Sequence, residues 1–462
     1  MSPLLLFAAI LALGLVGWAA GRARAAAFAG GPSRSTRAHS VKAYHAWYVA
    51  LWAALPALFF FLLWQVLSPA LVADAVLQGP GAASLPADVM ERGAVLEEAR
   101  GLAAGEVTGA FNPLSETLVP AFREAIGRYA WLGTIATLLL ALAGGVFAFS
   151  RLRPSLRART RVERMVMAAL LVASLIAVLT TIGIVASLLF EALRFFTMVP
   201  PLDFLSGTEW SPQTALRADQ AGSSGAFGAI PLLWGTIFIG AIIAMVVAIP
   251  LGLMSAIYLT QYAPPRARRW LKPMLEVLAG IPTVVYGYFA ALTVAPAVRD
   301  LGTAIGIPSS SESALAAGLV MGVMIIPFVS SMADDSLAAV PNAMRDGSLA
   351  IGATPSETIR KVLVPAALPG IVGGVLLAVS RAIGETMIVV MAAGLAANLT
   401  ANPFDSVTTV TAQIVQLLTG DQEFDSPKTL AAFALGLVLF AITFALNVAA
   451  LRVVRRYREA YE

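Results

Sequence analysis

Apolar runs long enough to cross a bilayer recur along the chain, each separated from the next by a polar connection. Nine can be read, at about residues 3–19, 44–67, 129–149, 165–190, 230–257, 274–298, 314–332, 366–395 and 430–453. A spanning helix needs ~20 predominantly apolar residues, and runs of this length and number exceed what a soluble core of this size would hide. The pattern predicts an all-α polytopic membrane protein of about nine transmembrane helices.

The connections alternate in charge. Arg22, Arg24, Arg34, Arg37 and Lys42 follow the first run, and Arg151, Arg153, Arg157, Arg159, Arg161 and Arg164 follow the third. Arg266, Arg268, Arg269 and Lys272 follow the fifth, Arg345, Arg360 and Lys361 the seventh, and Arg452, Arg455, Arg456 and Arg458 the ninth. The intervening connections are poorer in cations or acidic, as at Asp405, Asp421, Glu423 and Asp425. Because cations are retained on the cytoplasmic side, the alternation predicts an N-terminus outside and a C-terminus inside. No cation precedes the first run, which therefore reads as an uncleaved anchor rather than a leader peptide.

The longest polar connection, residues 68–128, carries Glu91, Glu97, Glu98, Glu106, Glu116 and Glu124 at spacings that suggest short solvated helices, and no site is assigned to it. With the three runs around it, this connection makes an N-terminal membrane extension, residues 1–164 with a periplasmic segment at 68–128, and the arginine-rich stretch 151–164 links it to a six-span module, residues 165–462.

Composition sharpens this picture. The chain is 58% hydrophobic and 13% charged, with a mean hydropathy of +0.81. Cysteine is absent, which excludes disulfides and thiolate chemistry. His39 and His45 have no neighbouring carboxylate or third imidazole with which to form a metal site. The basic balance is accounted for by cytoplasmic arginines beside membrane lipid, and implies no nucleic-acid partner. No metal cluster, nucleophile–base pair or cofactor motif suggests an enzyme.

The connection between the seventh and eighth runs, residues 346–365, is unusually structured. It reads Asp346-Gly347-Ser348-Leu349-Ala350-Ile351-Gly352, then nine residues, then Val362-Leu363-Val364-Pro365. Two short helices with a bend near Gly352 are expected, the second capped by Thr354 or Ser356 with Pro355 in its first turn. A helical pair of this size suits docking in a groove of a soluble partner. No Gly-Lys dipeptide occurs, so the chain lacks a phosphate-gripping loop and any ATP chemistry belongs to another subunit.

Two ionisable residues lie inside the eighth run. Arg381 and Glu385 would share one helix face at i and i+4, and each costs ~2.5–3.5 kcal/mol at the bilayer centre. They read either as a structural ion pair or as a pathway in which Arg381 contacts a crossing anion and Glu385 holds it or limits its retention. Gly280, Pro282 and Gly287 mark a possible break in the sixth run, or alternatively a packing kink.

Residues 346–365 resemble the EAA loop of ABC-importer permeases, with Gly352 and Pro365 at matching separation. Asp346-Gly347-Ser348 stands in place of Glu-Ala-Ala, and Val362 and Val364 in place of Ile and Leu. Ser380–Thr386, Leu278–Gly287 and Pro365–Ile371 further resemble the PstC-type permease of the bacterial high-affinity phosphate importer, over roughly residues 165–462. That resemblance implies a six-span type I importer core coupled to an ATPase through Asp346, Gly352, Glu357, Val362 and Pro365, in the bacterial inner membrane. It also implies a PstA-type permease partner, two PstB-type ATPase subunits that hold ATP and Mg, and a periplasmic phosphate-binding protein. The N-terminal extension lies outside it. Permeases for molybdate or sulfate, and an ion-coupled secondary transporter using Arg381 and Glu385 as a relay, are the rival expectations.

Overall fold

A computed structural model describes residues 3–28, 39–79, 85–86, 88–214, 224–419 and 426–458. Arg34, Arg37, Asp421, Glu423 and Asp425 lie outside the described residues. The chain divides into two compact units, Met1–Leu179 and Thr180–Glu462.

The first unit contains α1 (Pro3–Ala27), α2 (Lys42–Leu77), α3 (Val89–Ala104), α4 (Pro113–Ser150) and the first part of α5 (Ala158–Met198). Small residues let α1 and α2 approach closely, Gly17 and Gly21 lying against Val49 and Ala46. At 36 and 38 residues, α2 and α4 far exceed the ~20 that a bilayer requires. Among the described residues, the expected short helices of residues 68–128 are therefore largely extensions of these two, with α3 separate. Val72, Val76, Val95, Leu118 and Phe122 bury a small core among them.

One glutamate there has a structural duty that spacing did not reveal. Glu98 accepts from the amides of Phe111 and Asn112 and from the Ser115 hydroxyl, which closes the turn into α4. The Ser115 hydroxyl, then the Phe111 amide, hold its carboxyl below the usual range. Asn112 caps α4 by accepting from Leu114 N at 3.0 Å, with Pro113 in the first turn, where a missing N–H costs nothing.

The second unit begins within α5 and continues through α6 (Pro201–Ser206) to an antiparallel hairpin, β1 (Trp210–Thr214) and β2 (Ser224–Phe227), with Trp210 opposite Phe227. The hairpin is an addition to the all-α expectation. One span follows, made of α7 (Ile230–Thr236), a π-helical stretch, α8 (Ala244–Ile257) and a second π-helical turn. Then come α9 (Pro265–Gly280), α10 (Thr283–Phe289), a third π-helical turn, α11 (Ala295–Ala304) and α12 (Ala314–Ala338). After these lie α13 (Asn342–Ala350), α14 (Pro355–Thr358), a fourth π-helical turn and α15 (Val364–Ile383). The chain ends in α16 (Met387–Ala392), α17 (Val410–Leu418) and α18 (Pro427–Arg458).

The core of this unit sits where α8 and α12 meet, with Ile239, Ile243, Met321, Ile325 and Val329 fully or nearly buried and Ala378 of α15 added. Tight approach depends on missing side chains. A Cβ on Gly252 would lie 2.8 Å from Val329 Cβ.

Eight described helices are long and apolar enough to span, and a bent pair makes nine if counted as one. That pair corrects the sixth run, expected as one helix over residues 274–298. α9 and the helix that begins at Thr283 meet at 85°. The eighth run also differs, because α15 stops at Ile383 instead of continuing to residue 395.

Candidate coupling and translocation site

The loop between α12 and α15 is a helical hairpin whose bend rests on one residue. Gly352 has φ +92°, in the left-handed region open to glycine. The amide of Ala353 donates to Ser348 O at 3.2 Å and that of Gly352 to Leu349 O at 3.0 Å. Together these form the paired closure that satisfies the last carbonyls of a helix. Thr354, rather than Ser356, caps the next helix. Its Oγ1 accepts from Glu357 N at 3.3 Å while Glu357 Oε2 accepts from Thr354 N at 3.1 Å, with Pro355 in the first turn.

This reciprocal cap gives Glu357 its place. Hydrogen bonds from the Thr354 amide and then its hydroxyl, joined by Lys361 at 3.3 Å, hold its carboxyl below the usual range. Behind the bend, the hydroxyls of Ser348 and Thr358 share a buried hydrogen bond of 2.9 Å. The two short helices are thus fixed to each other. Asp346, Gly352 and Pro365 are exposed and Val362 is half-buried. Ile351, which motif matching did not single out, is 87% exposed at the tip.

Arg381 lies in the last turn of α15 and is exposed, and Glu385 lies beyond the helix end, half-buried. The i,i+4 face expected for the pair is therefore absent, because the helix unwinds at Gly384 before reaching Glu385. Nor are they an ion pair among the described residues. Glu385 Oε1 instead accepts from Met387 N at 3.1 Å, the first amide of α16, while Arg381 has no hydrogen-bond or ionic partner among the described residues.

The Glu385 carbonyl accepts from Thr411 Oγ1 at 2.8 Å, which ties the break to a buried polar cluster at the start of α17. Thr409 and Thr411 share a hydrogen bond of 3.0 Å, and the Gln413 amide donates to Leu395 O at 3.2 Å. Thr408, Thr409, Thr411 and Gln413 are all buried. Through Thr411 this cluster braces the break in the eighth span.

The break in the sixth run lies at Ile281 and Pro282, both extended, with ψ of 128° and 137°. Proline has no N–H to give α9 and pushes the residue before it out of helical geometry. Gly280 is the last residue of α9. Gly287 does not interrupt anything; it lies within α10, where a Cβ would stand 3.0 Å from Met387 O, so it permits α10 to meet α16.

A further feature was missed. Asp334, 4% exposed near the end of α12, accepts from Lys272 Nζ at 2.6 Å and Arg268 Nη2 at 3.1 Å. Both cations belong to α9. An aspartate pair in an otherwise apolar helix, Asp334-Asp335, was the available signal.

Spanning helices, two of them broken, and an exposed rigid hairpin between spans define a membrane transport permease. Residues 7–180 match the family described as "Phosphate ATP-binding cassette transporter", and residues 248–459 match "Binding-protein-dependent transport system inner membrane component". The probable ABC transporter permease protein YqgH of Bacillus subtilis is 34% identical over 273 residues, covering 59% of this chain and 84% of its own. The phosphate transport system permease protein PstC 1 of Mycobacterium tuberculosis is 34% identical over 280 residues, covering 55% and 82%. PstC of Mesorhizobium japonicum is 33% identical over 291 residues, covering 59% and 84%. The solved inward-facing MetNI methionine ABC transporter covers 48% of this chain and 93% of its own at 21% identity, with a TM-score of 0.36 too low to carry weight. The chain belongs to the PstC-type permeases of the binding-protein-dependent ABC transport systems. The match over residues 7–180 also gives the N-terminal extension a family of its own, ending beside the boundary between the two units.

Proposed function

We infer that this chain is the permease subunit of an ATP-driven phosphate importer, contributing half of a translocation pathway in a bacterial inner membrane. The observation that carries this is an unpaired guanidinium, Arg381, at a helix end beside a span break, in a chain whose relatives are phosphate permeases. A guanidinium forks onto phosphate oxygens. Glu385, held by the Met387 amide, stands near enough in sequence to keep that attraction from becoming a trap, since a pathway must release what it binds.

A periplasmic phosphate-binding protein delivers the anion, and a PstA-type permease supplies the other half of the pathway. Two PstB-type subunits bind ATP with Mg and pull on the hairpin of residues 346–365. Ile351 offers an apolar anchor at its tip, and the buried Ser348–Thr358 bond makes it stiff enough to transmit force. Asp346, Gly352, Glu357, Val362 and Pro365 act there through shape. An ion-coupled transporter would have no use for such a hairpin.

The test is radiolabelled phosphate uptake into vesicles containing this chain with its neighbouring subunits. Arg381→Ala should lower uptake by about 10- to 100-fold, the worth of a hydrogen bond to a charged group, while ATPase assembly persists. Uptake at the unmodified rate would remove Arg381 from the pathway. Molybdate or sulfate transported in preference to phosphate would replace the cargo but keep the machinery.

A further inference from the structure

At one end of the first unit, three stretches of chain are bound together around a small apolar core. The His39 amide donates to Pro154 O at 3.0 Å, the Arg159 amide to Ser40 Oγ at 3.3 Å, and Arg161 Nη1 to the Tyr48 hydroxyl at 3.3 Å. Tyr48, Val49, Ala148, Leu152 and Val162 fill the core beneath. Along residues 151–164 the side chains that turn inward are Leu152, Leu156, Ala158 and Val162. The arginines between them are therefore forced outward, and Arg151, Arg153, Arg157, Arg159, Arg161 and Arg164 are all exposed.

Arg22 and Arg24 at the end of α1 and Lys42 at the start of α2 bring the described cations at this end to nine. One acid, Glu163, answers them, paired with Arg159 at 2.6 Å. So unbalanced a rim repels itself unless anions collect on it.

Five of these eight arginines are also held in place. Arg22 lies over Trp18, Arg24 over Phe149, Arg151 over Phe147, Arg159 over Tyr44 and Arg161 over Tyr48, at 4.7 to 5.9 Å from the ring centroids. Retaining the chain's orientation needs only positive charge, and does not ask that five guanidinium groups be stacked. Stacking fixes the height of the charge at the level of the rings, and aromatic rings at helix ends sit at headgroup depth. Further along α4 and α2, away from that level, the outer faces stay apolar and open, with Val146 68%, Leu139 60% and Phe59 70% exposed. An anion above and a hydrocarbon surface below is the two-part demand that a phospholipid meets and a free anion does not.

We propose that this arginine–aromatic rim binds the headgroups of anionic phospholipids and holds a shell of them around the first unit. The phosphodiester accepts from the guanidinium edges that stacking leaves free and from the exposed, unstacked Arg153, Arg157 and Arg164 between them, and the acyl chains lie along α4 and α2.

The test measures the preference of the full chain, in complex with its partner subunits, for spin-labelled phosphatidylglycerol over phosphatidylethanolamine in bilayers of equal parts of the two. The unmodified complex should prefer phosphatidylglycerol, and raising ionic strength about tenfold should weaken that preference. The side chains of Arg153, Arg157 and Arg164 engage no ring or hydrogen-bond partner among the described residues, so replacing all three by Gln should leave the fold intact. The preference should fall roughly fivefold or more. The same three changed to Lys should retain it. An unmodified complex without preference, a Gln variant that keeps it or a Lys variant that loses it would overturn the proposal. So would millimolar inorganic phosphate abolishing the preference, which would make the rim a site for the free ion.

Discussion

The two units use membrane-spanning helices in opposite ways. In the first, α1, α2 and α4 run unbroken for 25, 36 and 38 residues, and prolines at 56, 69 and 120 sit inside them without ending them. Their most apolar stretches are only 22 to 28% buried. In the second, every described π-helical turn is found, one span bends by 85°, another unwinds at Gly384, and α12 is 61% buried over its apolar stretch. Lipid tolerates an exposed helix only if its backbone is internally bonded, so irregular backbone occurs where protein covers it or a pathway passes. Unbroken, lipid-facing helices suit a static scaffold, whereas breaks, which release backbone groups and permit small shears, suit the part that moves. π-helical turns gather at functional places for the same reason.

The sharpest way to break this comparison is to exchange prolines for alanine in each unit. Pro282→Ala removes a helix-breaking bias of ~3 kcal/mol at the bend and should cut phosphate uptake at least about tenfold. Pro56→Ala in α2 should leave uptake within about twofold. Equal effects would show that the breaks of the second unit have no special part in transport.

Next in size is Gly352→Val. No atom lies within 4 Å of the added Cβ, so the penalty comes from the backbone alone, roughly 2 kcal/mol for a non-glycine residue in this conformation. The hairpin bend should shift while the spans stay folded. ATP hydrolysis should continue with several-fold less phosphate moved per ATP, read by measuring both in one vesicle preparation. Unchanged stoichiometry would sink the coupling role of the hairpin.

How much of this was legible in advance follows the physics of each signal. Hydropathy located the spans because twenty apolar residues have few alternative fates. It failed at residues 384–395, where Gly384, Thr386 and the chain beyond α16 remain apolar enough to look spanning yet fold as a braced loop. The hairpin was legible because Gly352, Thr354 and Pro355 act locally. Asp334 and the buried threonines at the start of α17 were not, since their meaning lies in partners 62 to 66 residues away for Asp334 and 26 residues away for Thr411. Arg381 was found from its cost in a membrane, but its lack of a partner required coordinates.

Asp334 offers a smaller and different test, because it joins an amphipathic helix to the core of the second unit. Removing one member of a fully buried ion pair costs 3–5 kcal/mol. Here the side chains of Arg268 and Lys272 are 41 and 36% exposed, so water can take over part of their solvation, and Asp334→Asn should cost about 1.5 kcal/mol. Thermal unfolding of the detergent-solubilised complex measures it. A loss of uptake with no loss of stability would instead place this triad among the moving parts.

The smallest effect concerns the reciprocal cap at the start of α14. Thr354→Ala removes the hydroxyl that accepts from Glu357 N and should cost about 1 kcal/mol locally. Glu357 adds a pH signature. Its carboxyl titrates below its ordinary 4.5 because the folded hairpin hydrogen-bonds the charged form. The folded state therefore binds fewer protons there than the unfolded one, and stability rises with pH across that interval. The contribution is complete above pH ~4.5 and is lost as the pH falls through the lowered folded value. Glu357→Gln should flatten the acid limb of hairpin stability, read by amide exchange of residues 354–363 between pH ~3 and ~6 after correction for intrinsic rates. It should leave amide exchange in α2 and α4 unchanged. An acid limb that persists in that variant would assign the proton to another carboxyl and leave Glu357 as a cap only.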